Sequence, residues 1–165
     1  MEEIWAKIYE FTDYSISTHG QVRNDKFKRL VKQSITNRGV VRVGLFHQGK
    51  QYTRSVKVLV ADTFVARGKP NHDTAMQLDC DPFNCHVDNL VWRPRWFCWK
   101  YAVQMNKTVL RDTYHPIQCN ETNTIYDNVV DAAMHNGLLI SEILIQVGSR
   151  NGCFPLDLHF SWVRE

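Results

Sequence analysis

Absences narrow the possibilities for this 165-residue chain first. No apolar run approaches the roughly 20 residues a helix needs to span a bilayer, so no membrane-embedded helix is expected. Its 5 Pro and 8 Gly are scattered, and no segment has the make-up of a flexible linker or a disordered tail. The five cysteines, Cys80, Cys85, Cys98, Cys119 and Cys153, are odd in number and lack a repeated Cys-x-x-Cys, so a disulfide framework is not expected. The opening MEEIWAKIYEF has neither the basic start nor the long apolar run of a secretory signal. Together these features predict a soluble, cytoplasmic protein. Acid is also missing locally: residues 22 to 57 hold ten basic side chains and a single carboxylate, Asp25.

What remains is ample material for a core. The chain is 44% hydrophobic and carries five Trp, six Tyr and eight Phe, enough for one domain or two small ones. Its net charge of +3 is unevenly spread. Residues 1 to 70 hold 13 Lys or Arg against 6 acids, residues 71 to 111 hold 5 against 4, and residues 112 to 165 hold 2 against 7. A basic N-terminal half of this kind is the footprint of a surface that meets phosphates. The cations also fall on strand-like runs. VVRVGLF at 40 to 46 and QYTRSVKVLV at 51 to 60 carry Arg42, Arg54 and Lys57 and are joined by a turn at 47 to 50. A two-stranded ribbon with basic side chains on one face can enter a major groove.

Local patterns divide the chain into three regions: a basic β-rich part (1 to 70), a central segment with a connector (71 to 113), and a C-terminal module (114 to 165). A short strand pair is predicted near the N-terminus, closed by a turn at Thr18 to Gly20. VKVLVADTFVA at 56 to 66 shifts to helical spacing, and RGKPNHD at 67 to 73 reads as a polar surface loop holding His72. Arg95 to Thr113, with Trp96, Trp99, Val103 and Leu110, reads as a helix or extended connector. In the last fifty residues a strand precedes a helix over Tyr126 to His135, stopped by Asn136 and Gly137. A second helix capped by Ser141 and stopped by Gly148 follows, and a closing strand runs from Leu156 to Trp162. Two short helices across a glycine turn make a helix-turn-helix outline.

The most informative stretch is TAMQLDCDPFNCHVDNLVW at 74 to 92. With WAKIYEFTDYSIS and GQVR at 20 to 23, VKVLVADTF at 56 to 64 and DNLVW at 88 to 92, it resembles phage intron-encoded HNH homing endonucleases over nearly the whole chain, in the same order. The resemblance implies an α+β fold: an N-terminal basic β-ribbon or antiparallel sheet, a degenerate ββα-metal (HNH) core and a C-terminal helix-turn-helix-like module. It implies a double-stranded DNA partner and a host cytoplasmic location. It also marks where chemistry is missing. The positions for a metal-binding acid or histidine and for the water-activating histidine hold Met76 and Gln77, the second metal position falls at about Cys98, and Lys57 stands where a histidine is usual. A thioether does not replace an oxygen ligand for magnesium, and an amide cannot take a proton near neutral pH. Asn89 alone is retained, as the residue that bridges backbone groups across the loop.

Several readings follow. The first is a non-cleaving DNA-binding protein, a pseudoenzyme with no catalytic residues and no cofactor, contacting DNA through Arg23, Lys26, Lys28, Arg29, Arg42, Arg54, Lys57, Arg93 and Arg95. The second is a protein-interaction factor that acts on a polymerase or virion component through the acidic C-terminal module, whose second helix, LLISEILIQV at 138 to 147, is mostly apolar. The third is an active nicking enzyme with a divalent cation in a site rebuilt from Asp79, Asp81, His72 or His86. Zinc held by Cys80, Cys85, His86 and Cys98 has the right ligand types, but the spacing is not a usual zinc pattern.

Overall fold

A computed structural model describes residues 2–105 and 115–163, and the connector residues 106–114, Leu110 among them, lie outside the described residues. Among the described residues the fold is mixed α+β, built from small antiparallel sheets and four α-helices. The chain forms two compact units, Met1–Arg95 and Trp96–Glu165, so the 74 to 93 hairpin belongs with the N-terminal sheets.

In the first unit, β1 (Trp5–Ile8), β2 (Phe11–Ser17), β3 (Val22–Asn24) and β4 (Arg29–Leu30) form one antiparallel sheet in chain order. The turn between β2 and β3 falls where expected. The Ser17 hydroxyl accepts the N–H groups of His19 and Gln21, and Gly20 sits at φ +80. Only glycine suits that place: it is left-handed, and an added Cβ would lie 3.1 Å from Cys85 Cβ. The next sheet has three strands, β5 (Gln33–Ile35), β6 (Val41–His47) and β7 (Lys50–Ser55), where two were expected. Gln48 and Gly49 both have positive φ, the backbone of a tight hairpin turn whose twist matches its strands.

Alternation along β6 buries Val41, Val43 and Leu45 and exposes Arg42 and Phe46. The strand after the turn ends at Ser55, earlier than its sequence suggests. Helix α1 (Val56–Phe64) begins there and buries Val56, Leu59, Val60 and Ala61 in the core of this unit. Strands β8 (Thr74–Gln77) and β9 (Leu90–Arg93) pair antiparallel, with a single 3₁₀ turn over Val87–Asn89 leading into β9.

The second unit holds α2 (Arg95–Met105) from its second residue on, a three-stranded sheet in the order β11 (Ile125–Tyr126), β10 (Ile117–Cys119), β12 (Phe160–Trp162), and helices α3 (Val129–Asn136) and α4 (Ile140–Gln146). Its core gathers Ile117, Val129, Leu138, Ile143 and Phe160. Helix α3 starts three residues later than predicted because Asn128 caps it, its side-chain oxygen accepting Asp131 N–H at 2.9 Å. Gly137, at φ 60, ends it as expected. Ser141 is not the cap of α4. That place belongs to Leu139, and the Ile140 N–H is satisfied by Gln104 Oε1 at 2.8 Å. The closing strand is likewise only Phe160–Trp162, since a turn with Asp157 at φ 59 occupies the residues before it.

Candidate nucleic-acid interface

The β8–β9 hairpin and its loop bring the segment from Thr74 to Trp92 together. Gln77 is buried at the end of β8. Its amide nitrogen donates to Asp81 O at 2.8 Å and Asn84 O at 3.2 Å, and its amide oxygen accepts Lys57 Nζ at 3.3 Å. Its nitrogen thus serves the loop and its oxygen ties the hairpin to α1. Asn89, just before β9, braces the same loop. It accepts Asp79 N–H at 3.1 Å and donates to Asp79 Oδ1 at 2.8 Å and Asn84 O at 3.0 Å. Asp79 then accepts from Asp81 N–H and Asn84 Nδ2, and Asp81 accepts Phe83 N–H, so two carboxylates and three amide side chains fix the loop.

These side chains do not fit a hard divalent cation. Met76 is buried and offers only sulfur, and the Gln77 oxygen already faces an ammonium, which would repel a second cation. Cys98 lies on α2 in the second unit, partly buried. Burial holds the Cys80 and Cys85 thiols above their ordinary range, with the Asp79 carboxylate adding to the rise at both. Among the described residues, no three His, Cys, Asp or Glu side chains gather as a metal site would require.

His72 is not a surface residue. It is 4% exposed, with Nε2 unpartnered, and burial, then the nearby Arg93 and Lys69, lower its pKa. His86 packs against His19, the ring centroids 4.8 Å apart and the planes tilted by 30°, and its Nδ1 accepts Asp88 N–H.

The predicted cations separate into two groups. Lys26, Lys28 and Arg29 crowd the β3–β4 turn and are exposed, as is the neighbouring Phe27. Arg42 is exposed on β6, and Arg95 at the start of α2. The others are engaged within the fold. Arg23 pairs with Asp25 at 3.0 Å and lies over the Trp5 ring. Burial alone would raise the Asp25 carboxyl, but hydrogen bonds from Lys7, Ser15 and Arg23 bring it down to about 2. Arg93 is 5% exposed, donating to Trp92 O, which rules it out as a phosphate contact in this conformation. Lys57 is on α1 instead of the ribbon, partly buried and tied to Gln77.

Register corrects the ribbon itself. Arg42 pairs with Ser55, whereas Arg54 pairs with Val43. Cross-strand partners share a face, so Arg54 lies on the same side as the core valines, opposite to Arg42. There it stacks over Phe11 and Tyr52 and meets Glu10 at 3.3 Å. The open face therefore holds Arg42 with Ser34, Phe46, Gln51 and Thr53, all exposed, around Gly44. A side chain at Gly44 would have to push the Gln51 amide aside. The signal that could have found these neighbours is the turn at 47 to 50: with Gln48 and Gly49 at its tip, counting back along β7 puts Gln51 and Thr53, not Arg54, beside Arg42.

In the second unit, α2 buries Phe97 and Tyr101 and leaves Trp96 and Trp99 exposed, with Lys100 over the Trp96 ring. Helix α4 exposes Ile145 at 73%. Glu121 clamps His159, accepting its backbone N–H at 3.0 Å and pairing with Nδ1 at 2.7 Å. No helix among the described residues is long and apolar enough to cross a membrane.

The comparisons agree with this layout. A NUMOD4 motif matches residues 3–46, the span from β1 into β6. No curated protein sequence matches the chain. The solved structure titled "DNA binding and cleavage by the HNH homing endonuclease I-HmuI" matches 100% of this chain and 99% of its own, at 22% identity and a TM-score of 0.58. The chain thus carries a NUMOD4 motif at its N-terminus and has, end to end, the fold of an HNH homing endonuclease.

Proposed function

We propose that this chain is a phage-type DNA-binding protein, derived from an HNH homing endonuclease, that does not cleave. The observation that carries the reading is Gln77: at the place of the water-activating histidine stands an amide that cannot take a proton, whose nitrogen holds the loop and whose oxygen already faces the Lys57 ammonium. The exposed cations Lys26, Lys28, Arg29 and Arg42 support the DNA partner, with the open face of the β5–β6–β7 sheet as the groove-facing surface. Supercoiled DNA incubated with magnesium or manganese is expected to stay un-nicked, and a nicked product would return the active-nickase reading. Duplex binding should fall steeply with salt. Neutralising about four phosphates implies a loss of roughly two orders of magnitude between about 50 and about 200 mM.

A second reading has its own observation. Ile145, 73% exposed on α4 of an acidic module, suits a protein partner such as a polymerase or virion component. Indifference of duplex affinity to charge reversal at Arg42 would favour it.

A further inference from the structure

Lys57 is the second residue of α1, and one of the three N–H groups of its ammonium is engaged by Gln77 Oε1. Just before the helix stands Ser55. Its hydroxyl oxygen is buried and makes no hydrogen bond, although it occupies the position from which a serine ordinarily caps a helix. Ser55, Lys57 and Gln77 line one small cleft with Val41, Pro82 and Cys85. No acid lies in the first turn of α1, so the partial positive charge of the helix start is not offset from within the helix. Burial raises the Cys85 thiol, which stays neutral, and the loop carboxylates of Asp79 and Asp81 accept loop N–H groups without lining the cleft. The one charge in the lining is therefore the ammonium. A buried hydroxyl without a partner, beside a propped ammonium, is an arrangement short of one anionic oxygen.

We infer that this cleft is a metal-free phosphate seat, in which Lys57 Nζ and Ser55 Oγ donate to one non-bridging oxygen of the DNA backbone. Gln77 is a positioning residue: its amide oxygen aims the ammonium and its amide nitrogen ties that aim to the loop. The inference rests on the DNA-binding reading and assigns the degenerate core a share in it. A fixed monovalent cation supplies attraction for the phosphate without activating water.

The test uses the full chain and a mixed-sequence duplex, with binding followed across a salt series. K57Q should lower affinity several-fold at low salt and reduce the salt slope by about one, because one phosphate contact is lost. K57R should keep the slope, and S55A should weaken binding less than K57Q. In a second arm, inorganic phosphate should shift the backbone amide signals of residues 55 to 58 in the wild type but not in K57Q. Near-ultraviolet circular dichroism checks folding, and K57R and S55A carry the comparison if K57Q does not fold. Suppose the wild type binds duplex, R42A weakens it, and K57Q changes neither affinity nor slope. The seat is then overturned while the DNA-binding reading stands. Should the wild type not bind duplex at all, that reading falls and the phosphate arm decides: shifts lost in K57Q keep the cleft as a site for free phosphate, and no shifts overturn it.

Discussion

Two hairpins of the first unit use their polar side chains in opposite ways. Around β8 and β9, Gln77, Asp79, Asn84 and Asn89 spend their hydrogen-bonding capacity on one another and on the loop backbone. On β6 and β7, Arg42, Gln51 and Thr53 stand exposed on a face whose reverse side is packed into the core. A polar group satisfied inside its own fold has little left for a ligand, whereas an ordered but unspent one can recognise something. The hairpin that resembles a catalytic centre thus works first as a brace, which also aims Lys57, and the plainer hairpin is the better candidate for recognition.

The contrast can be broken from either side, and the largest effect is expected in the braced loop. Asn89→Ala removes three hydrogen bonds and leaves loop partners unmet, which should cost about 2–3 kcal/mol in urea denaturation. Duplex affinity of the remaining folded protein should change little. Arg42→Ala should do the reverse: a loss of affinity of about tenfold, with stability altered by no more than about 0.5 kcal/mol. Equal effects of both substitutions on both measurements would erase the distinction. Arg54→Ala sharpens it, because this arginine stands one residue out of the exposed parity. Stability should drop by about 1 kcal/mol through lost stacking on Phe11 and Tyr52, and affinity should fall less than for Arg42→Ala.

The smallest effect belongs to the second unit and concerns pH. Burial pulls the Glu121 carboxyl up, but hydrogen bonds from the His159 backbone and imidazole lower it from 4.5 to about 2, and the carboxylate in turn raises His159 above 6.5. Stabilisation from Glu121 is present above 4.5 and is lost as pH falls toward about 2. That from His159 is full below 6.5 and is lost as pH rises through its elevated folded value. The thermal midpoint of this unit should therefore be highest between about 4.5 and 6.5, and His159→Gln should flatten the profile.

Much of the frame was legible in the sequence. The His47 to Lys50 turn, the alternation of Val41, Val43 and Leu45, the turn before Val22 and the stop at Gly137 each rest on local chemistry that leaves a mark. The short strands β4, β5 and β11 leave almost none, since two or three residues have no period and exist through their neighbours' hydrogen bonds. Side-chain fate was hardest to read. Lys57 and Arg93 look like free cations in a string of letters, yet the fold ties one to Gln77 and buries the other. His72 lies in a polar stretch, and only tertiary packing covers it.

Gln48 and Gly49 illustrate how a surface can be specified from a distance. In a two-residue turn the side-chain parity of the second strand is counted from the first. One residue inserted there would send Arg54 outward and draw Gln51 and Thr53 toward the core valines. The pair at the tip acts as a selector, deciding which letters of β7 any ligand can read.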